Sequence, residues 1–260
     1  MKIYIVSRSD SFANGADGCC KVSQKLLEFG FKKADSLSNC DIAVTIGGDG
    51  TILKAGKEAA KAGKPLLGIN TGRLGFMATL EEDEMAPSRL ERLLNGDYTT
   101  SRRMLLDVEI DGVVHNALND VVLHREQMRL PDFAVFRGET EVLKLRGDGI
   151  IVSTPTGSTA YSLSAGGPII EPELECFLVT ALCPHSLFNR PMVFSPSKPL
   201  RVSASDVSVS VDGYTHAKRE RQCINNEVII TKSKHYLDLI DIDGDNFYSS
   251  IHHKLMKPLK

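Results

Sequence analysis

A chain of 260 residues can bury a sizeable core and sits where a single core begins to divide into two. Its composition, 42% hydrophobic and 25% charged with a formal net charge of −2, is that of an ordinary globular protein and argues against a general nucleic-acid binder, which carries a basic excess. No apolar run approaches the ~20 residues that a membrane-spanning helix needs.

Met1–Ser7 reads as a strand and not as a signal peptide, because its apolar part is short and Arg8, Ser9 and Asp10 follow at once. A cytoplasmic location and no membrane partner are the expectation. The six cysteines (Cys19, Cys20, Cys40, Cys176, Cys183 and Cys223) form no C-x-x-C pair and no zinc-ligand spacing, so reduced thiols are expected. The seven histidines include no H-E-x-x-H, and no structural metal site is expected.

The first third of the chain alternates between strand and helix. A strand at Lys2–Ser7 leads through a polar loop (Asp10–Gly18) to a helical pattern at Val22–Phe29. Strand Ile42–Ile46, helix Thr51–Ala62, strand Leu66–Asn70 and helix Ala86–Asn95, closed by Gly96, follow. Near-continuous apolar strands separated by helices indicate a parallel sheet covered on both faces. Ligands in such sheets bind beyond the carboxyl ends of the strands, which is where Gly47–Gly50 and the loop Asn70–Phe76 both fall.

From about Thr99 the pattern turns to β. Met104–Ile110 and Val113–Leu118 flank Asp111-Gly112, a two-residue hairpin signal. Strand-like runs recur at Val121–His124, Phe133–Phe136, Val142–Arg146, Ile150–Ser153, Val207–Val211, Val228–Thr231 and Tyr236–Ile242, before a terminal helix at Phe247–Leu255. The fold class is therefore α/β: an N-terminal doubly wound parallel-sheet domain (1–98), a C-terminal β-rich, sandwich-like domain (99–242), and a C-terminal helix (243–260) free to return to the first domain.

Two stretches carry chemistry. In Gly47-Gly48-Asp49-Gly50-Thr51, glycines let the backbone approach a bulky anion and the helix start offers N–H groups to phosphate oxygens. Asp49 is the exception, since a carboxylate repels phosphate; it suits a hydroxyl that attacks the phosphate. A connection with an N-capping aspartate is the plain alternative. In residues 146–168, glycines and hydroxyls are dense between a strand and a short helix for which Ser158 and Thr159 are candidate N-caps. There Tyr161 offers a ring to stack on a base and Asp148 an acceptor. Asn119-Asp120 precedes a strand and could be an Asx turn alone. Neither a G-x-x-x-x-G-K-[ST] loop nor a G-x-G-x-x-G is present. Ser195–Lys198 fits S-x-x-K without its partner motifs and reads as chance, and His124-Arg125-Glu126 reads as a strand end.

In this order, the residues resemble the NAD kinases. The match is carried by Gly47–Thr51, by Gly68-Ile69-Asn70 with Gly72 and Leu74-Gly75-Phe76, by Asn119-Asp120, and by Gly147-Asp148-Gly149 running on through Thr154-Pro155-Thr156-Gly157-Ser158-Thr159-Ala160-Tyr161. The resemblance is strong over residues 42–170. The Gly-Gly-Asp-Gly-Thr loop alone is shared with diacylglycerol and sphingosine kinases.

The resemblance implies transfer of the ATP γ-phosphoryl to the 2′-hydroxyl of the adenosine ribose of NAD, giving NADP, with Mg²⁺ carried by the nucleotide phosphates; whether polyphosphate also serves as donor stays open. Asp49 matches the family's general base. Asn119, Asp120, Asp148, Thr159, Ala160, Tyr161 and Ser164 match NAD-holding residues, and Phe76 matches a residue beside the adenine site. Lys54 and Arg146 match basic ligand contacts, and Gly50, Thr156 and Ser162 complete the candidate binding set. A homodimer or homotetramer is implied, with Cys183 a candidate contact to the neighbouring subunit. Asp120 is the shorter acid where many members have glutamate, and Asp212-Gly213 resembles a late Asp-Gly of the family or is a plain turn. A lipid kinase of the diacylglycerol type and a non-catalytic dinucleotide sensor are the competing readings.

Overall fold

The computed structural model describes residues 1–7, 16–72, 75–186, 189–215, 227–244, 246–252 and 255. Leu74, residues 10–15 of the polar loop, Cys223 and His253 lie outside them. The chain divides into two compact units, Met1–Arg102 with Tyr236–Lys260, and Arg103–His235.

The first unit contains β1 (Lys2–Ser7), α1 (Ala16–Glu28), β2 (Lys32–Lys33), β3 (Ile42–Ile46), α2 (Asp49–Ala62), β4 (Leu66–Asn70), β5 (Leu80–Glu81) and α3 (Pro87–Asn95). β2, β1, β3 and β4 pair in that order and all in parallel. Every residue of β3 and β4 is buried, as expected of strands covered on both faces. The pleat sorts them. Ile42, Val44, Ile46, Leu67 and Ile69 join one core with Val22 and Leu26 of α1 and Leu90 and Leu93 of α3. The alternate positions face α2, where a Cβ on Gly68 would lie 2.7 Å from Ile52 Cδ1 and 3.1 Å from Ala78 Cα. Helices on both faces make this sheet doubly wound.

The chain enters the second unit within β6 (Thr99–Ile110), which turns through Asp111-Gly112 into β7 (Val113–Ala117). Both turn residues have positive φ (51° and 75°), the primed hairpin that the dipeptide signals. Then come β8 (Asp120–Arg125), β9 (Asp132–Arg137), β10 (Thr140–Arg146), β11 (Gly149–Ser153), a 3₁₀ turn at Thr156–Thr159, α4 (Tyr161–Ser164), β12 (Phe177–Leu182), β13 (Met192–Phe194), β14 (Leu200–Ala204), β15 (Val207–Val211) and β16 (Tyr214–Thr215). One sheet orders β13, β12, β11, β8, β15 and β16, all antiparallel. In the other, β10, β9, β14 and β17 (Glu227–Asp241) are antiparallel neighbours. The chain leaves this unit along β17, and α5 (Asn246–Ile251) follows in the first unit.

Several sequence expectations are corrected. Val228–Thr231 and Tyr236–Ile242 are one strand, because the polar residues between them (Lys232, Ser233, Lys234, His235) continue the extended ladder. Phe177–Leu182, an unforeseen strand, is buried almost throughout, so its sequence lacks the alternation that marks a half-exposed strand. Ser158 and Thr159 do not cap a helix: α4 begins at Tyr161, and its N-cap, Ala160, makes no side-chain cap bond.

The fit of Gly68 against α2 gives a stability test. Gly68→Ala is expected to destabilise the protein by about 1–3 kcal/mol through overpacking. Ile52→Val, which removes the methyl in the way, should reduce that cost in the double variant. Urea unfolding of the four proteins measures both; strict additivity would place the clash elsewhere.

Candidate active site

In the first unit the chemistry gathers where β3 and β4 end. Gly48 is the N-cap of α2 and contributes no capping side chain, so Asp49 is the first helical residue. A helix start without a side-chain cap leaves backbone donors and the positive end of the helix dipole facing outward. Asp49 does not cap its own helix, which corrects that plain reading. Instead, its carboxylate reaches the loop after β4: Phe76 N–H donates to Oδ2 (2.9 Å) and Met77 N–H to Oδ1 (3.3 Å).

Gly75 makes this approach possible. A Cβ there would lie 1.7 Å from Asp49 Oδ1 and 2.2 Å from Cγ. Two motifs separate in sequence, Gly-Gly-Asp-Gly-Thr and Gly-Phe, are thus one device that holds a half-buried carboxylate in a single orientation. Gly50 is exposed on the first turn of α2. Lys54 is exposed on the same helix, but five residues on it stands about 140° round the axis from Asp49.

In the second unit, Leu118–Asp120 is gripped from two sides. Thr154 Oγ1 donates to Leu118 O (2.6 Å) and Thr154 N–H to Asn119 O (2.8 Å). Gly157 packs so closely that a Cβ would lie 2.1 Å from Asn119 O, while its N–H donates to Thr154 Oγ1 (3.0 Å). On the other side the Asp212 carboxylate accepts from the N–H groups of Leu118 (3.0 Å), Asn119 (2.8 Å) and Asp120 (3.3 Å).

The hydroxyl-rich run is therefore partly structural. Ser158 Oγ donates to Pro155 O (2.6 Å) and accepts from Ile170 N–H (3.0 Å). Thr159 Oγ1 donates to Thr156 O (3.2 Å), and Ser162 Oγ bonds Thr180 Oγ1 (2.8 Å). Ser162 is buried, Ala160 half-buried and Ser164 exposed. Tyr161 is 45% exposed, so its ring is open to a ligand. The hydroxyls of Ser153 and Thr156 are buried without a hydrogen-bond partner. Ser153 pairs in register with Asp120, which puts both side chains on one face of the sheet.

Asp148 and Arg146 stand apart from this cluster. They precede β11 and the hydroxyl run follows it, so the extended strand separates Asp148 from Thr154 by about 20 Å. Asp148 forms an ion pair with Arg125 (Nε–Oδ1 2.7 Å), and Arg125 also donates to the carbonyls of Gln127 and Met128. The residue read as a strand end thus orients a candidate ligand-binding acid. Arg146 is exposed and pairs with Asp132 through two hydrogen bonds (3.0 and 2.9 Å) across the β9–β10 ladder. Cys183 is exposed with φ of 43°, in the turn against which Gly147 packs.

Asp212 is the residue that sequence reasoning most undervalued. Asp-Gly after an alternating strand signals a turn, and only the fold turns its carboxylate onto Leu118–Asp120. Among the described residues, no group of three or more His, Cys, Asp or Glu side chains is placed to hold a metal ion. None of their helices is long and apolar enough to cross a membrane.

Asp120 is buried, and burial together with the nearby Asp212 charge pushes its pKa from 3.8 up to about 7. The folded state then binds more protons than the unfolded state between these values, so this residue's contribution to stability falls as pH rises from about 4 to about 7. Asp120→Asn should remove that dependence and leave the protein relatively more stable above pH 7. Thermal unfolding of both proteins between pH 4 and 8 tests it; parallel curves would refute the shift. Gly75→Ala should displace the Asp49 carboxylate and accelerate hydrogen exchange at the Phe76 and Met77 amides at unchanged secondary structure. Wild-type protection of those amides would show that the approach does not need glycine.

Comparison with known proteins agrees in both units. Residues 17–98 match the model of the ATP-NAD kinase N-terminal domain, and residues 118–242 that of the ATP-NAD kinase C-terminal domain. The chain is 40% identical over 238 residues to an NAD kinase of Clostridium perfringens, covering 87% of this chain and 85% of that protein. It is 36% identical over 235 residues to an NAD kinase of Caldanaerobacter subterraneus, covering 86% and 82%. Among solved structures, an Archaeoglobus fulgidus NAD kinase in complex with ATP superposes with a TM-score of 0.78 at 26% identity, covering 98% of this chain and 99% of that one. Yeast NADH kinase complexed with NADH shares the fold, with a TM-score of 0.83 at 21% identity, covering 100% and 88%. With both domain models matched in order and such identity sustained along most of its length, this chain belongs to the NAD kinase family.

Proposed function

We propose that this enzyme transfers the γ-phosphoryl of ATP to the 2′-hydroxyl of the adenosine ribose of NAD, giving NADP and ADP. One observation carries the reading: a carboxylate fixed by two backbone N–H groups at an uncapped helix start, in a chain of this family. A bond forms between the ribose 2′-oxygen and the γ-phosphorus while the bond to the β,γ-bridging oxygen breaks. The hydroxyl proton passes to Asp49. A carboxylate is a weak base for an alcohol, but in a loose phosphoryl-transfer transition state bond formation lags and the proton leaves late. Asp49 therefore orients the hydroxyl first and takes its proton as charge develops.

The N–H groups at the start of α2, with Gly50 among them, suit phosphate oxygens. NAD would be held by Asn119 and Asp120 and by the open groups of the run Thr156 to Ser164, with Tyr161 stacking on a base, while Asp148 and Arg146, at the far end of β11, would reach the NAD of a neighbouring subunit. Phe76 would line the adenine site and Lys54 would meet phosphate through its flexible stem. Mg²⁺ would arrive on the nucleotide, since it prefers phosphate oxygens and water, and would offset charge on the transferring group. A cytoplasmic homodimer or homotetramer completes the proposal; Val113 and Val114, exposed together on the β6–β7 hairpin, offer apolar surface to a second copy.

The test is an assay of purified protein with NAD, ATP and Mg²⁺, following NADP with an NADP-specific dehydrogenase, with a polyphosphate arm. NADP is expected, and Asp49→Asn should lower turnover by about 10²–10⁴-fold while the KM for NAD changes little. No NADP from folded protein with either donor would overturn the function. Comparable losses in turnover and NAD affinity would overturn the role of Asp49.

A further inference from the structure

We infer that Asp212 is a positioning residue for NAD: its carboxylate sets the backbone of Leu118–Asp120 and thereby aims the side chains of Asn119 and Asp120. The inference rests on the proposed function, in which those two residues hold the dinucleotide.

The plain explanation of Asp212-Gly213 is a hairpin turn. Val211 pairs with Tyr214 and Ser210 with Thr215, and both turn residues have positive φ (49° and 77°), the primed two-residue turn that Asp-Gly favours. That accounts for the backbone but not for the side chain. Gly213 and Tyr214 are exposed, as turn tips are, whereas Asp212 is only 7% exposed. Its two oxygens take three successive N–H groups of a segment 94 to 92 positions away in sequence, and its own N–H donates to Asp120 O (2.9 Å). Hydrogen bonds to a charged acceptor are stronger than neutral ones.

Leu118 and Asn119 are also anchored through their carbonyls by Thr154, with Gly157 packed against Asn119. Backbone bonds on both sides leave the segment little freedom except in its side chains. At the point where a strand begins, a rotation of one peptide would redirect Asn119 and the first residue of β8 together. The carboxylate prevents that rotation, and the αL backbone at Asp212 is what turns the carboxylate inward.

Asp212→Asn separates the two roles, because Asn-Gly is an equally good primed turn while the amide nitrogen cannot accept a hydrogen bond. A carbonyl in the place of Oδ1 would keep Asn119 and Asp120 N–H but set the amide against Leu118 N–H. The expected result is a rise of about tenfold in the KM for NAD, with the KM for ATP unchanged and kcat reduced less. Hydrogen exchange at the Leu118, Asn119 and Asp120 amides should accelerate. Asp212→Gly, which tolerates positive φ but removes all three bonds, should show a larger rise. A cycle with Asn119→Ala should give NAD losses smaller than the sum of the two singles.

NAD KM values within twofold of wild type in both Asp212 variants, or strictly additive losses in the cycle, would overturn the inference. Equal increases for NAD and ATP would reduce Asp212 to a stability element. Wild-type protein that makes no NADP would instead overturn the proposed function, and amide exchange would still report whether Asp212 clamps Leu118–Asp120.

Discussion

The bond between the Asp49 carboxylate and the amides of Phe76 and Met77 ties the loop after β3 to the loop after β4. Much else in the first unit follows from it. The two loops can meet only because β3 and β4 are adjacent and parallel, so that both carboxyl ends lie at one edge. The strands are held adjacent by their parallel ladder, Ala43 opposite Leu66 through Ile46 opposite Ile69. Gly75 is the local condition: any side chain at that position would occupy the space of the carboxylate. The outcome is an acid whose orientation is set by backbone and not by other side chains. Backbone donors in a packed loop do not change rotamer, which suits a group that must be in place before its substrate arrives.

The second unit repeats the principle with different parts. There, too, a carboxylate holds backbone N–H groups, and hydroxyls of Thr154, Ser158 and Ser162 consume their hydrogen bonds inside the protein. A stretch whose composition suggests a ligand lined with hydroxyls proves to be mostly scaffold for a few open groups, Tyr161 and Ser164 among them. Small polar residues serve here because they let β8, β11 and the 3₁₀ turn approach while leaving few buried donors unpaired. The hydroxyls of Ser153 and Thr156 are the exceptions, and Asp120 lies on the same face as Ser153.

The legible part of the fold is the part that is local. The bounds of Ile42–Ile46 and Leu66–Asn70 follow from continuous apolar runs stopped by glycine or asparagine, and the Asp111-Gly112 turn follows from the φ that only such residues adopt easily. Phe177–Leu182 was not legible, since a strand buried on both faces has no alternation to read. Ser158, a candidate cap by residue type, bonds elsewhere for a related reason. Its hydroxyl had several possible acceptors, and packing against Ile170, 12 positions on, settled the choice.

Of the candidate site, Asp49 and the run from Thr154 to Tyr161 could be singled out from residue type and order, because glycines, hydroxyls and a lone acid cluster there within a few positions. The partners that orient them could not. Phe76 lies 27 positions from Asp49, and Leu118 lies 94 from Asp212. Nor could the chain alone reveal that Arg125 would pair with Asp148, or that Arg146 would pair with Asp132 across a ladder. The sequence by itself determined the family, the candidate carboxylate and the alternation of strands and helices in the first unit, all of which reside in neighbouring residues. The tertiary structure decided which amides face which carboxylates, because those contacts join residues far apart in the chain and exist only once the sheets have fixed their register.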